Sequence, residues 1–396
     1  MQVEIGDGEK RFFLGAHRVK DPAETVGELE PLMRGAGALD LVDCTEKDRH
    51  GIPCFAVVRR RPGTGHPQVH VGRGVTPEAA QASAMATAIE RSSAEYRADP
   101  MKLAMYEEVG IRHAVDPVDL ILARPLEEGE KIHWSPGYDL LEKGEVWVPS
   151  NAVFLPYNTL GEAKGLFASD PNGLAAGNTR DEAILSGLLE VLERDTLSRA
   201  ERIHAMGKRV SVQEPGPVRD LLARFEAAGI AITLWLPGGR TRIPTIAAAA
   251  DDPVTRDPAF LVMGAGTHPS PQAAAIQALT EVAQRRAVRI QGLSLSEERE
   301  SFVQRIGYDR MKRLNQEWFA PAPSVSLADI PDLSTPTIGG DLRLILGELD
   351  GKVERACVCD LTRTAVPVVR VVVPGLEVSS INKERVRRKG GEKSGP

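Results

Sequence analysis

Small and apolar residues recur at helical spacing in three windows of equal length: TPEAAQASAMATAIER (76–91), TRDEAILSGLLEVLER (179–194) and SPQAAAIQALTEVAQR (270–285). Each pattern predicts an amphipathic helix. Each opens on Thr76, Thr179 or Ser270, whose hydroxyl can accept a backbone N–H of the first turn. Pro77 and Pro271 then take the first helical position, where a missing N–H costs nothing. Each closes on an arginine, which suits the negative end of the helix dipole. The preceding stretches, PQVHVGRGV, GLFASDPNGLAAGN and AFLVMGAGTHP, read as extended chain entering a glycine loop. A strand–glycine loop–helix unit therefore occurs three times. Repetition predicts repeated architecture, here three related subunits packed around one centre in a mixed α/β fold.

Elsewhere the pattern predicts a helix near 22–36, strands near 39–44 and 53–60, and turns at SPG (135–137) and LPYN (155–158). AGIAITLWLPG (228–238) and RIPTIAAAADD (242–252) alternate like strands. A charged helical stretch follows at 294–316. PAPSVSLADIPDLSTPTIGG (321–340) reads as an exposed linker or loop, with a helix near 340–352 and a strand near 364–374 after it. The whole chain, 1–396, is expected to form one compact domain with approximate subunits 1–170, 171–265 and 266–396.

Composition narrows the function classes. Hydrophobic residues make up 42% and charged residues 26%, a balance able to bury a core. The net charge of -6 gives no general basic field for nucleic acid. The basic run NKERVRRKGGEKSGP reads as a frayed tail. No apolar run reaches the roughly 18 residues of a membrane span, and the N-terminus shows no signal pattern. A cytoplasmic protein with no membrane partner is expected. Four cysteines do not make a disulfide framework. Cys357 and Cys359 alternate on one face of a strand and are expected in the core. The eight histidines are scattered without zinc spacing and are expected at the surface or in ordinary hydrogen bonds. Only His17, beside Arg18, is placed to approach phosphates.

Chemistry enters at positions twelve and fifteen of the three windows. They hold Thr87 and Glu90, Glu190 and Glu193, Glu281 and Gln284. Residues three apart share a helix face. On one helix such a pair reads as a solvated face; on three aligned helices it predicts convergence. Clustered carboxylates repel unless a hard divalent cation joins them, and magnesium completes its shell with water and phosphate. A magnesium–nucleotide ligand is the expectation. No G-x-x-x-x-G-K-[ST] phosphate loop is present.

The run NGLAAGNTRDEAILSGLLEVLERD (172–195) closely resembles the signature of the YcaO superfamily. HRVKDPAET (17–25), DRHGIP (48–53), GRGVTPEAAQASAMATAIER (72–91), ALTEVAQRR (278–286) and DLTRTAVPVVRVVVPGLE (360–377) follow that family's order. The resemblance implies an ATP- and magnesium-dependent enzyme acting on peptide backbone amides. It implies that Glu90, Glu190, Glu193 and Glu281 hold magnesium. It implies that Arg18, Thr25, Asn178, Glu182, Arg194 and Gln284 contact ATP, with Glu193, Arg194 and Arg286 in the catalytic set. Thr87 departs from the pattern, which usually has a glutamate there. Azoline-forming members end in a P-x-P-x-P tail, whereas this sequence ends EKSGP. The resemblance is accordingly to the stand-alone archaeal type, which works with a TfuA-like partner and a sulfide donor on a glycine of methyl-coenzyme M reductase. A homodimer is compatible with this reading. An azoline-forming cyclodehydratase, an ATP-grasp-like ligase and a non-catalytic ATP-binding scaffold are the alternatives.

Overall fold

The computed structural model describes residues 2–60, 67–96, 101–120, 124, 126–157, 161–291 and 297–377. The basic C-terminal run expected to fray lies outside these. The strands are β1 (Ala38–Asp43), β2 (Cys54–Arg60), β3 (Pro67–Arg73), β4 (Lys102–Ala104), β5 (Ile132–Asp139), β6 (Gly144–Pro149) and β7 (Leu174–Ala176). They continue with β8 (Lys208–Ser211), β9 (Ala231–Leu236), β10 (Thr245–Asp251), β11 (Val262–Thr267), β12 (Ser324–Ser326), β13 (Cys357–Asp360) and β14 (Val368–Val372). The helices are α1 (Pro22–Leu29), α2 (Pro77–Ser93), α3 (Tyr106–Val109), α4 (Arg180–Arg202), α5 (Pro217–Ala227), α6 (Pro271–Ile290), α7 (Glu297–Ile306), α8 (Tyr308–Leu314) and α9 (Ile338–Leu349).

Three sheets result, and each carries one of the three repeated helices. The first has the order β1-β2-β3, the second β11-β10-β9-β8-β12, and the third β4-β5-β13-β14-β7 with β6 on β5. Helix α2 follows β3, α4 follows β7, and α6 follows β11. The recurring glycines serve this packing. A Cβ on Gly72 of β3 would lie 2.0 Å from the Ala84 nitrogen of α2, and one on Gly264 of β11 would lie 2.3 Å from the Ala278 oxygen of α6. In the third unit the glycine is on the helix: a Cβ on Gly187 of α4 would meet a β14 side chain, Val371 Cγ2, at 2.7 Å. Bare backbone at these points lets each helix lie against its sheet. Ala80, Ala84 and Ala88 of α2 and Ala274, Ala278 and Val282 of α6 fill the buried faces.

The capping signals behave as expected at two of three starts. Thr76 accepts from Ala79 N and Thr179 from Glu182 N. Ser270 does not cap with its side chain; its hydroxyl donates to Asp332 instead. Other expectations need correcting. The first helix stops at Leu29, followed by a single tight turn through Leu32. SPG is not a turn but the middle of β5, which pairs with β4, β6 and β13. The stretch 321–340 is largely loop with many exposed residues, as expected, but it is tied to the fold. Its Ser324–Ser326 pairs in parallel with β8, Ile330 is buried, and Thr337 caps α9. Cys357 and Cys359 are buried on β13, as their alternation predicted. Among the described residues no helix is long and apolar enough to cross a membrane.

Candidate functional site

The glutamate-bearing stretches of α2, α4 and α6 meet at a cavity of about 510 Å³. Glu90, Glu190, Glu193 and Glu281 all line it, as do Thr87 and Gln284. Arg18, Thr25, Asn178, Glu182 and Arg194 line it too. The three acidic faces thus come together from three different sheets.

Burial in company makes these carboxylates costly to ionise. Desolvation first, then the charge of Glu190, pushes Glu90 up to about 7 against the pull of Arg91 and Arg370. Glu190 is raised chiefly by burial, although Arg194, Arg91 and Arg370 oppose it. Glu193 is raised by burial and by the Glu281 charge. Glu281 shares the burial, but Arg285, Arg73 and Arg194 outweigh it and hold the group below its usual range. Its Oε1 takes Arg285 at 2.8 Å and its Oε2 accepts Ala265 N at 3.1 Å. Glu190 and Glu193 are less engaged: Arg194 Nη2 stands 3.8 Å and 4.0 Å from them, beyond hydrogen-bonding reach. Acidic oxygens that are buried, mutually repelling and incompletely paired form the donor set a hard divalent cation takes. The residues present therefore fit magnesium. Thr87 contributes less, because its hydroxyl donates to Ser83 O one turn back at 2.8 Å.

The cavity wall beyond the carboxylates is cross-braced. Arg18 Nη1 donates to Ser186 Oγ at 2.9 Å, and Thr25 Oγ1 donates to Asn178 Oδ1 at 2.9 Å. Glu182 is fully buried and spends both oxygens on protein: Oε1 accepts Val19 N, and Oε2 accepts the Asn178 backbone and side-chain amides. It ties the segment after Arg18 to the start of α4. Gln284 accepts from Arg73 at 2.8 Å and donates to the Val71 carbonyl.

Arg286 is not brought to the cavity. Its guanidinium is fully buried, 2.7 Å from Asp48 and 3.0 Å from Asp252, with Phe260 beneath it at 4.5 Å. It locks α6 to the loop around Asp48 and to the end of β10, so any effect on a ligand passes through α6. Four histidines, His17, His50, His133 and His268, are buried, and the last three are in ordinary hydrogen bonds, as expected: His50 and His268 accept backbone N–H groups, and His133 meets Tyr157. His17 and His268 line the cavity with ring centroids 4.2 Å apart. Burial first, then Lys10, lowers His17 to about 4, so it is neutral at physiological pH. Asp341 lies close to both rings, but its oxygens are taken by Lys10 and Thr335.

Sequence reading missed Arg73, Arg91 and His268 at this cavity. Arg73 and His268 flank two of the repeated glycine loops, and Arg91 closes the first window. Arg91 aligns with Arg194 and Arg285 at the window ends, and that alignment is the signal that was available for it.

Carboxylates from three sheet-borne helices, braced by arginines around a single cavity, define an α/β protein built to hold a cation-bound anionic ligand. The chain belongs to the YcaO family: a family model described as "YcaO cyclodehydratase", ATP- and Mg2+-binding, matches residues 71–377. An uncharacterised protein of Methanothermobacter thermautotrophicus is 42% identical over 93% of this chain and 97% of its own length. A protein of Rhizobium leguminosarum bv. trifolii, described as lying in the tfuA 3′ region, is 30% identical over 91% of this chain and 89% of its own. The solved structure of YcaO from Methanopyrus kandleri, bound with AMPPCP and Mg2+, superposes with a TM-score of 0.81 at 28% identity, covering 98% of this chain and 100% of that one.

Proposed function

We propose that the chain is an ATP- and magnesium-dependent enzyme that activates a peptide backbone amide and, with sulfide, converts it to a thioamide. The observation that carries this reading is the meeting of Glu90, Glu190, Glu193 and Glu281 in one arginine-braced cavity. The likeness to an archaeal YcaO bound with AMPPCP and Mg2+ supports it. In this reading the four glutamates hold magnesium. Arg18, Thr25, Asn178, Arg194 and Gln284 face the nucleotide, and Glu182 acts by orienting Asn178. Bound magnesium–ATP would supply the phosphoryl group that lets the amide oxygen leave as phosphate after sulfide adds to the carbonyl carbon, giving C=S and ADP. Arg194, between Glu190 and Glu193, stabilises the charge that grows on the transferred group. Glu193 keeps that cation-binding edge in place. Arg286 is assigned a positioning role, holding α6 and hence Glu281.

A TfuA-like partner is proposed as well, supported by the relative from the tfuA 3′ region. The proposed acceptor is a glycine amide of methyl-coenzyme M reductase. The test is reconstitution of the full chain with partner, peptide, ATP, magnesium and sulfide, read by mass spectrometry and phosphate release. Replacement of one oxygen by sulfur supports thioamidation. Loss of water from a Cys, Ser or Thr peptide assigns cyclodehydration instead, and nucleotide binding with no phosphate release assigns a scaffold.

A further inference from the structure

A cavity of about 450 Å³ lies between the end of α4 and the loop after β9, and it shares no described lining residue with the glutamate cavity. Arg199, Arg202 and Arg240 line it. Among its described lining residues none is acidic and none is aromatic. On a chain of net charge -6 this concentration of cations is local. Arg199 and Arg202 stand three apart on one face of α4. Across from them the loop is open, since a Cβ on Gly238 would meet nothing within 4 Å.

These guanidinium groups are incompletely spent on the protein. Arg240 donates Nε to the two oxygens of buried Asp195, at 3.2 and 2.9 Å, and gives neither Nη group to it. Arg202 Nη1 stands 2.8 Å from Glu377 Oε1. Arg199 makes no hydrogen bond or ion pair among the described residues. Asp195 feels all three: burial raises it, while Arg240, Arg199 and Arg202 pull it down. Two carboxylates therefore face three cations, and the negative end of α4 offsets only about half a charge more. The side chains of Arg202 and Arg240 are 45% and 33% exposed, so a ligand in the cavity reaches their remaining N–H groups. A guanidinium fork pairs with an oxyanion through two parallel donors. Several forks at one cavity favour a ligand with more than one negative charge. With no ring to stack on, a base gains nothing here, so the ligand is compact.

We propose that this cavity is a second anion site, which holds a compact multivalent oxyanion, phosphate- or carboxylate-bearing, on Arg199, Arg202 and Arg240. It stands whatever reaction the glutamate cavity performs.

The test is titration calorimetry of the full chain at low salt in EDTA, with pyrophosphate and separately with citrate. At least one of the two should bind, and the tighter one names the class. Arg199→Gln should weaken that binding about tenfold or more, the scale of one charge-assisted hydrogen bond. Ala205→Glu, which sets a carboxylate at an exposed lining position, should abolish it. Arg18→Gln, in the glutamate cavity, should leave it unchanged. Thermal melts and titration with AMPPCP and Mg2+ should find Arg199→Gln and Ala205→Glu equal to the parent. Binding by neither anion, binding that both pocket variants leave at parental strength, or binding lost in Arg18→Gln overturns the site. A hexaglutamate peptide that binds where neither small anion does assigns the patch to an acidic protein partner, and overturns it as well.

Discussion

Glu90 offers the sharpest physical test of the carboxylate cluster. Its side chain is 14% exposed, and burial beside Glu190 raises it from 4.5 to about 7. A raised folded-state pKa contributes stability that is fully present below the unfolded value and is lost as pH rises through the folded one. For Glu90 that window runs from 4.5 to about 7. Above it, the ionised carboxylate destabilises the metal-free fold by about 3 kcal/mol. Glu90→Gln keeps the shape without the charge. In EDTA the variant should match the parent at pH 4.5 and exceed it by about 3 kcal/mol at pH 8. For a chain this long the gain corresponds to a melting shift of about 4 °C. The assay is calorimetric melting of both proteins across pH 4.5 to 8, taking the difference at each pH so that other titrating groups cancel. Adding Mg2+ and AMPPCP should reverse the ranking, because the ligand stabilises only the chain that binds it. A difference that stays constant with pH, or survives Mg2+ and AMPPCP unchanged, would refute the account of Glu90 as a destabilised member of a cation-binding set.

Three further outcomes are expected. Arg286→Met should destabilise by about 3 kcal/mol, because Asp48 and Asp252 stay buried with their shared cation gone; urea unfolding measures it, and a change below about 1 kcal/mol would contradict the buried network. Gly264→Ala should cost about 1–3 kcal/mol, since the added carbon would stand 2.3 Å from the Ala278 carbonyl, and it should weaken AMPPCP binding by moving Glu281; a neutral result in titration calorimetry would count against that packing. His17, lowered from 6.5 to about 4, opposes folding increasingly as pH falls below 6.5. His17→Phe should therefore lose about 2 kcal/mol less than the parent between pH 7 and pH 5, unless the ring is protonated in the fold, in which case the two pH profiles will coincide.

Local chemistry made much of this protein legible before its coordinates. Caps, first-turn prolines and helical spacing placed α2, α4 and α6 within a residue of their starts. Aligning those helices brought out the four glutamates that line one cavity. What local chemistry could not show depended on partners distant in sequence. SPG carries turn residues, yet pairing of β5 with β4, β6 and β13 holds it extended. The stretch 321–340 has the composition of a linker, but β8 offers Ser324–Ser326 a free edge. Arg286 sits in a motif beside Gln284, and only the fold reveals that Asp48 and Asp252 claim it. The end of α4 was also hidden: it runs on to Arg202, past the window, where buried Asp195 binds Arg240.

Each of the three walls of the cavity stands on its own sheet, and where the walls meet each brings a carboxylate to the same space. Cargo of opposite sign is then the keystone of the arch as well as its load. Emptied, the arch should breathe along the seams between sheets. Hydrogen exchange should slow at the carboxylate ends of all three helices together when magnesium and AMPPCP are added, and slowing confined to a single helix would mean the walls are joined by something else.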